Sequence, residues 1–326
     1  MLTVYSCRGA GLIRHADPQS GEMPDDAVWF DLVEPTVEED RLVERIMGVA
    51  IPTREDMREI EASSRLYQED GACYMTATIL CQVDSGQPRT TEVTFILAGS
   101  RIATVRYEES RPFSQFQVRA GKPGAGVDDA HSILLGLLDA IIDRIADVLE
   151  RVGAEVEQIS GQVFTAEIGQ KSERDKDYGR VIRSIGQQGN LIAKIQESLV
   201  SLSRLAGFFA EEAGRNGGKK DEKAHTKTIA QDIRSLSEHA VALDNKVTFL
   251  LDATLGLVSL QQNTIVKIFS ILAVVFMPPT LIASIYGMNF HAMPELDQPW
   301  GYPMALGLMV ASVAVTYAVF KWRSWL

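Results

Sequence analysis

The sequence predicts an α+β membrane protein, with an N-terminal α/β domain, a long helical stalk and two C-terminal transmembrane helices. Three observations predict this class. Short strand-like segments fill the chain up to about residue 120, and long helical periodicity follows. Two apolar stretches then come in quick succession, and neither contains a formal charge: one lies between Lys267 and Glu295, the other between Gln298 and Phe320.

The N-terminal part reads as a cytoplasmic α/β domain over residues 1–126. β-Branched and aromatic residues cluster or alternate between turn-forming residues, which is typical of strands. The predicted strands are residues 3–7, 28–32, 74–83, 91–97 and 102–107. Thr36, followed three residues later by Glu39, matches a capping box and predicts a helix through Met47.

The next part, residues 127–262, is predicted to be a cytoplasmic helical stalk. Between residues 128 and 164 apolar residues recur every three or four positions, as on one face of a long amphipathic helix. They are Ile133, Leu137, Ile141, Ile145, Leu149, Val152, Val156 and Ile159. A second helical run is predicted for residues 173–214. No proline occurs from Asp221 until Pro278, so one helix can continue from there into a bilayer. Fifty helical residues extend about 75 Å, which requires neighbours in a bundle or an oligomer.

Each apolar stretch is long enough to cross a hydrocarbon core of about 30 Å, which takes roughly 20 helical residues. Lys267 precedes the first stretch, and Lys321 and Arg323 follow the second. By the positive-inside rule, both termini are expected in the cytoplasm. The predicted segments are a pore-lining transmembrane helix at 263–290, a periplasmic loop at 291–301, a second transmembrane helix at 302–321 and a cytoplasmic tail at 322–326. A buried hairpin in a soluble protein is disfavoured, because neither stretch has a polar face.

Composition and motif searches argue against several function classes. The net charge is −11 and nearly all of it lies before Asn263, which disfavours nucleic acid as a partner and suits either cations or simple solubility. Gln170 separates the glycine and lysine that a phosphate-binding loop requires adjacent. The histidines form no metal-binding motif, and the three cysteines are expected to be reduced packing residues. No catalytic residue and no bound cofactor is predicted, so the protein is not expected to be an enzyme.

The first apolar stretch carries a stripe of small, polar and apolar residues on one helix face. Its members are Asn263, Val266, Phe269 or Ser270, Ala273, Met277, Thr280, Ser284 and Gly287. A pore wall and a helix-packing seam both fit this spacing, so the two interpretations stay open. Pro278 and Pro279 remove two backbone donors, which predicts a local bend or loosening of the helix.

The end of this stretch is the most specific signal. Tyr286-Gly287-Met288-Asn289-Phe290 is followed by Met293-Pro294-Glu295-Leu296, a short loop and a final span. This combination resembles the CorA family of magnesium and cobalt channels, whose signature is a Gly-Met-Asn tripeptide that closes the first transmembrane helix. The likeness extends to residues 29–35, 60–65 and 263–280, which look like the enterobacterial branch.

The resemblance implies a funnel-shaped homopentamer in the bacterial inner membrane, with five first spans around the pore. It places the selectivity filter at Gly287 and Asn289. The other implied positions are Asn263 and Thr280 as polar pore residues, Val266, Phe269, Ala273 and Met277 as the gate, and Tyr286, Met288, Glu295 and Asp297 as further motif residues.

The implied function is influx of hydrated Mg²⁺, and also of Co²⁺ with Ni²⁺ as a further candidate, driven by the membrane potential and gated by cytoplasmic Mg²⁺ at subunit interfaces. Acidic residues of the last soluble helix could trap a divalent cation between subunits, although a solvated helix face is the favoured interpretation for any single one of them. They are Asp232, Glu238, Asp244 and Asp252. Two alternatives stay open: a zinc transporter of the same superfamily, and a membrane-anchored metal sensor without transport.

Overall fold

The computed structural model describes residues 1–8, 11–15, 24–59, 61–122, 124–164, 174–215, 220–288, 294 and 298–323. The chain divides into two units, Met1–Leu251 and Asp252–Leu326. The domain boundaries proposed from the sequence remain predictions.

Strands in the first unit pair into one mixed sheet. Its strands are β1 (Leu2–Arg8), β2 (Gly11–His15), β3 (Ala27–Val33), β4 (Leu66–Glu69), β5 (Ala72–Cys81), β6 (Arg89–Ala98) and β7 (Arg101–Arg106). Their order is β2-β1-β3-β7-β6-β5-β4. β3 and β7 pair in parallel, and the other described neighbours pair antiparallel. The five predicted strands are confirmed. β2 and β4 were not predicted, since short edge strands with partly exposed residues lack a clear alternating pattern.

The helices follow and partly interrupt these strands. They are α1 (Val37–Met47), α2 (Arg54–Met57), α3 (Ala62–Arg65), α4 (Arg111–Ala120), α5 (Ala130–Phe164), α6 (Arg174–Arg215), α7 (Lys220–Tyr286) and α8 (Gly301–Trp322). The predicted capping box of α1 is confirmed: Thr36 Oγ1 accepts from the Glu39 amide at 3.4 Å, and Glu39 Oε2 accepts from the Thr36 amide at 3.0 Å. Gly48, at φ 72°, ends this helix in the left-handed conformation.

Helices cover both faces of the sheet. Val43 of α1 belongs to a core cluster with Phe30, Leu32 and Ile96 on one face. On the other face α5 packs against β3 and β7, and α6 packs against β5 and β6. All ten residues of β5 are therefore buried. Cys73 and Cys81 lie in this strand as unpaired packing residues, as predicted.

A buried ion pair joins β3 to β7 and also contacts α4. Arg106 Nη2 donates to Asp31 Oδ2 at 2.8 Å, and both side chains are almost fully buried. Thr104 Oγ1 and Gln117 Nε2 also donate to this carboxylate, at 2.8 and 3.1 Å. The Arg106 guanidinium lies 4.6 Å from the Phe113 ring centroid. A buried charge needs such partners, because removing one leaves the other desolvated and uncompensated.

The long helices agree with the sequence pattern. All eight apolar residues predicted to face inward from α5 are buried. α7 continues without interruption from Lys220 to Tyr286, as the absence of earlier prolines predicted, and it also continues through Pro278 and Pro279. The two prolines cannot donate to the carbonyls four residues earlier, at Val274 and Val275.

Candidate functional site

Two helices of the described chain are long and apolar enough to cross a membrane, namely α7 and α8. Their large apolar side chains are exposed and not packed in a core: Phe269 and Met277 are each 67% exposed, and Val310 is 71% exposed. A core helix of a soluble protein would bury such residues. These surfaces therefore require lipid or protein around them.

Exposure divides the C-terminal part of α7 into two faces. The more buried face of α7 comprises Ile271, Val275, Pro278, Ile282 and Tyr286, which follow one another at steps of three or four residues. A matching row on α8 comprises Gly301, Ala305, Met309, Ser312, Thr316 and Phe320. In the described chain the second unit consists of the C-terminal part of α7 and of α8, so we infer from burial that these two rows are the faces that the two helices turn towards each other. We call them the α7–α8 seam.

The predicted pore stripe lies on the opposite face of α7. Asn263, Val266, Ala273 and Thr280 are all exposed, as are Phe269 and Met277. At about 100° per residue, the mean direction of this stripe is about half a turn away from the α7–α8 seam. The stripe is therefore not the surface on which α8 packs. Tyr286, in contrast, lies in the seam.

The polar groups of the stripe are oxygen-rich. The Thr280 hydroxyl donates its proton to the Phe276 carbonyl at 2.7 Å, so its oxygen faces other partners as an acceptor. Acceptor oxygens are what a cation or its water shell binds. The Thr280 oxygen can therefore contact a cation or its water shell without any carboxylate at this position.

α7 ends where the Gly-Met-Asn tripeptide begins. The Gly287 amide still donates to the Ala283 carbonyl at 2.9 Å, and the Met288 amide donates to the Ile285 carbonyl at 3.2 Å. A Cβ atom at Gly287 would lie 3.1 Å from the Ala283 carbonyl oxygen, which is a tight contact. The last carbonyls of a helix lack intrahelical donors and carry the negative end of its dipole. This terminus is consequently a favourable place for a cation.

Three predicted site residues, Asn289, Glu295 and Asp297, lie outside the described residues. Their roles in the filter and at its mouth stay predictions. Within the described ranges, no group of three or more His, Cys, Asp or Glu side chains is placed to hold a metal ion. The structure brings Asn263, Val266, Phe269, Ala273, Met277 and Thr280 onto one face with Gly287, and it leaves the acidic candidates of the regulatory site unassembled within one chain.

Comparison with known proteins identifies the family. The model of the CorA-like Mg²⁺ transporter protein family matches residues 24–322. The chain belongs to the CorA family. It is 32% identical over 326 residues to the magnesium transport protein CorA of Escherichia coli K12, and 30% identical to the protein of that name from Pasteurella multocida, with all of each chain covered.

A solved structure shares the fold of this CorA-family chain. The complete structure of the CorA magnesium transporter from Methanocaldococcus jannaschii matches with a TM-score of 0.77 at 17% identity, covering 100% of this chain and 99% of that one. The predicted arrangement of an N-terminal α/β domain, a long helix and two C-terminal apolar helices is confirmed.

The α7–α8 seam is the feature that sequence reasoning missed in this CorA-family chain. A weak signal was available: Gly301, Ala305 and Ser312 put small residues at helical spacing on α8, as close helix packing in membranes favours. The apolar partners on α7 gave no comparable signal, because every face of that segment is apolar.

Proposed function

We propose that this protein carries Mg²⁺ into the bacterial cell across the inner membrane, as a channel built from several copies of the chain. The match of nearly the whole chain to the CorA family carries this proposal. The exposed stripe of α7, opposite the α7–α8 seam, supports the assignment of that helix to the ion path. Both termini lie in the cytoplasm in this proposal, and the remaining apolar faces contact lipid.

A single α7 cannot enclose a path, so the stripe requires partner copies. When several chains turn this face towards a common axis, Val266, Phe269 and Met277 repeat as apolar rings and Thr280 repeats as an oxygen ring. The seam stays free for α8 on the outer side. Five copies are proposed from the resemblance to the family.

The ion crosses with much of its water shell in place. No Asp or Glu lies in α7 after Asp252, so no carboxylate in the span can replace water, and Mg²⁺ gives up water reluctantly. Gly287 carbonyls and Asn289 side-chain amides accept hydrogen bonds from the coordinated water and so select a large octahedral hydrated ion. Co²⁺ and Ni²⁺ ions with similar hydration are the further expected cargo.

The membrane potential drives this flux without a bound cofactor or covalent catalysis. A divalent cation gains roughly 4.6 kcal/mol per 100 mV, twice the value of about 2.3 kcal/mol for one elementary charge. Glu295 and Asp297, repeated around the mouth, concentrate cations there. The apolar rings of Val266, Phe269, Ala273 and Met277 close the path by dewetting. Mg²⁺ bound between acidic cytoplasmic faces stabilises the closed state, because those faces repel each other once the metal leaves.

The test is ion uptake by the full-length protein in sealed vesicles that contain a Mg²⁺-sensitive dye. We expect uptake that rises with an inside-negative diffusion potential and that protein-free vesicles lack. Zn²⁺ uptake without Mg²⁺ uptake would assign a zinc transporter instead. Vesicles impermeable to every divalent ion tried, despite folded protein, would leave a metal sensor as the function.

A further inference from the structure

A pocket of about 340 Å³ with charged side chains in its wall lies in the first unit, remote in sequence from the transmembrane helices. It forms where the turn between β5 and β6 meets the N-terminus of α4 and one side of α5. Its wall includes Asp84 of the turn, Ser110 and Arg111 of the α4 start, and Arg144 of α5. Glu109 is the second acidic residue of the wall.

Three guanidinium groups converge on one carboxylate at this pocket. Arg144 Nη2 lies 2.8 and 2.7 Å from the two oxygens of Asp84, Arg111 Nη1 lies 2.9 Å from Oδ2, and Arg151 Nη1 lies 3.3 Å from Oδ1. The hydrogen bond from Arg144 is the main reason that the pKa of Asp84 falls to about 2. Each guanidinium carries five N–H donors, so Asp84 uses only a few of those available. Among the residues that line the pocket, Arg111 and Arg144 balance Asp84 and Glu109, and Arg151, bonded to Asp84 from beside the pocket, adds one positive charge.

One hydroxyl among the residues that line the pocket has no hydrogen-bond partner in the described structure. Ser110 is only 3% exposed, and its Oγ makes no hydrogen bond in the described structure. Ser110 occupies the N-cap of α4, a ten-residue helix, yet its side chain does not cap the helix. A buried hydroxyl normally has a partner, and N-cap serines normally accept from the first turn. The N-terminus of a helix also favours negative charge.

A short turn between β5 and β6 holds Asp84 with its side chain partly exposed to solvent. Residues Val83–Ser85 form a 3₁₀ turn between Gln82, at φ 53°, and Gly86, at φ 75°. A left-handed conformation is unfavourable for a non-glycine residue such as Gln82. The Asp84 side chain is 50% exposed, so it can leave the arginines for water without crossing a packed core.

We propose that this pocket binds a small oxyanion of the phosphate class, and that Asp84 holds the arginines as an internal counterion until the anion replaces it. Phosphate oxygens accept bidentate hydrogen bonds from guanidinium groups. The Ser110 hydroxyl supplies a further donor to the phosphate oxygens, and the positive end of the α4 dipole favours the negative charge. The opposing interpretation is a purely structural clip, in which Asp84 ties the turn to α4 and α5. Phosphate affinity separates the two interpretations. Loss of the Asp84 charge should raise this affinity if the carboxylate competes with the anion, and a structural clip predicts no such rise.

The test is calorimetric titration of the full-length protein in detergent with inorganic phosphate, at constant ionic strength and with a chelator that removes Mg²⁺. We expect saturable binding to the wild-type protein and about tenfold tighter binding to Asp84→Asn, because the competing carboxylate charge is gone. Arg144→Gln and the more exposed Arg111→Gln should each weaken binding about tenfold or more. Ser110→Ala should weaken it severalfold.

Controls separate site loss from unfolding. Arg45→Gln removes an exposed arginine of α1 whose Nε bonds only to its own helix at Arg41, and it should leave phosphate affinity unchanged. Melting curves without phosphate identify any variant that fails to fold. A parallel titration with ADP distinguishes the source: tighter binding than phosphate assigns a nucleotide, and equal binding assigns the free anion.

Absence of saturable binding to both the wild-type protein and Asp84→Asn would overturn the proposal. Equal phosphate affinity in folded Arg111→Gln and wild-type protein would do the same. Because the titration contains no Mg²⁺ and measures no flux, its failure would leave the proposed transport function untouched.

Discussion

The two units of this protein differ in where their apolar side chains lie: the first unit buries them in a core, and the second leaves most of them exposed. In the first unit, helices cover both faces of the sheet, and even the charges of Asp31 and Arg106 are buried with partners. In the second unit, α7 and α8 bury one narrow seam and expose the rest of their apolar side chains. The first unit therefore carries its stability within one chain. The second exposes apolar surface that requires lipid or other protein around it.

The largest effect is expected from breaking the buried network of the first unit. Asp31→Ala leaves the Arg106 guanidinium buried without its counterion, and we expect a loss of about 3–5 kcal/mol in the free energy of unfolding. Denaturant unfolding followed by a fluorescence probe in the α/β domain measures this loss. Asp25→Ala, at an exposed position, is the matched control and should change stability little. A loss below about 1 kcal/mol for Asp31→Ala would contradict the role given to the pair.

The second unit is tested through transport and not through stability. Asn289→Ala removes the side-chain amides proposed to contact the hydrated ion. We expect Mg²⁺ uptake into vesicles to fall at least about tenfold, equivalent to about 1.4 kcal/mol, while the melting of the first unit is unchanged. Val310→Ala, on an exposed face of α8, serves as control. Unchanged uptake and unchanged competition by hexamminecobalt would refute the filter assignment.

The proposed gate predicts that substitutions on the stripe change the leak of Mg²⁺, and that substitutions on other faces of α7 do not. Met277→Gly shortens one of the proposed apolar rings, so water should enter the closed path more easily and leak at high internal Mg²⁺ should rise severalfold. Leu272→Gly introduces the same change in helix propensity on a face away from the stripe, and its leak should remain near that of the wild-type protein. Similar leak in both variants would show that the gate does not lie on the stripe.

The smallest effect concerns local structure in the first unit. Thr36→Ala removes the capping-box acceptor of α1, and we expect a loss of about 1 kcal/mol in the free energy of unfolding. Thr228→Ala is a suitable control, since that hydroxyl donates only to the Ala224 carbonyl of its own helix at 3.2 Å. Equal melting temperatures for the two variants would show that the cap does not stabilise the domain.

Much of the fold was predictable because its signals are local. The capping box of α1, the inward row of α5 and the proline-free course of α7 each follow from residues a few positions apart. α4 was missed, although Pro112 in its first turn and the spacing of Phe113, Phe116 and Ala120 were typical of a short buried helix. The edge strands β2 and β4 were missed because their pairing partners, and not their own patterns, define them.

The candidate sites divide in the same way. Helical spacing alone grouped Asn263, Val266, Ala273 and Thr280 on one face, since a regular helix determines which side chains share a side. Spacing left the use of that face open, because α7 is apolar all round in this segment. Because the more buried face of α7 lies on the opposite side, the stripe is not the face that packs against α8 of the same chain.

The amino-acid sequence by itself determined the fold class, the two membrane spans, the family resemblance and the membership of the stripe, because each depends on residue chemistry and on periodicity along the chain. Only the tertiary structure decided which face of α7 meets α8, and only it assembled Asp84 with Arg111, Arg144 and Arg151. The reason is physical: packing and ion pairing depend on distances between segments far apart in the chain, which periodicity within one segment does not encode.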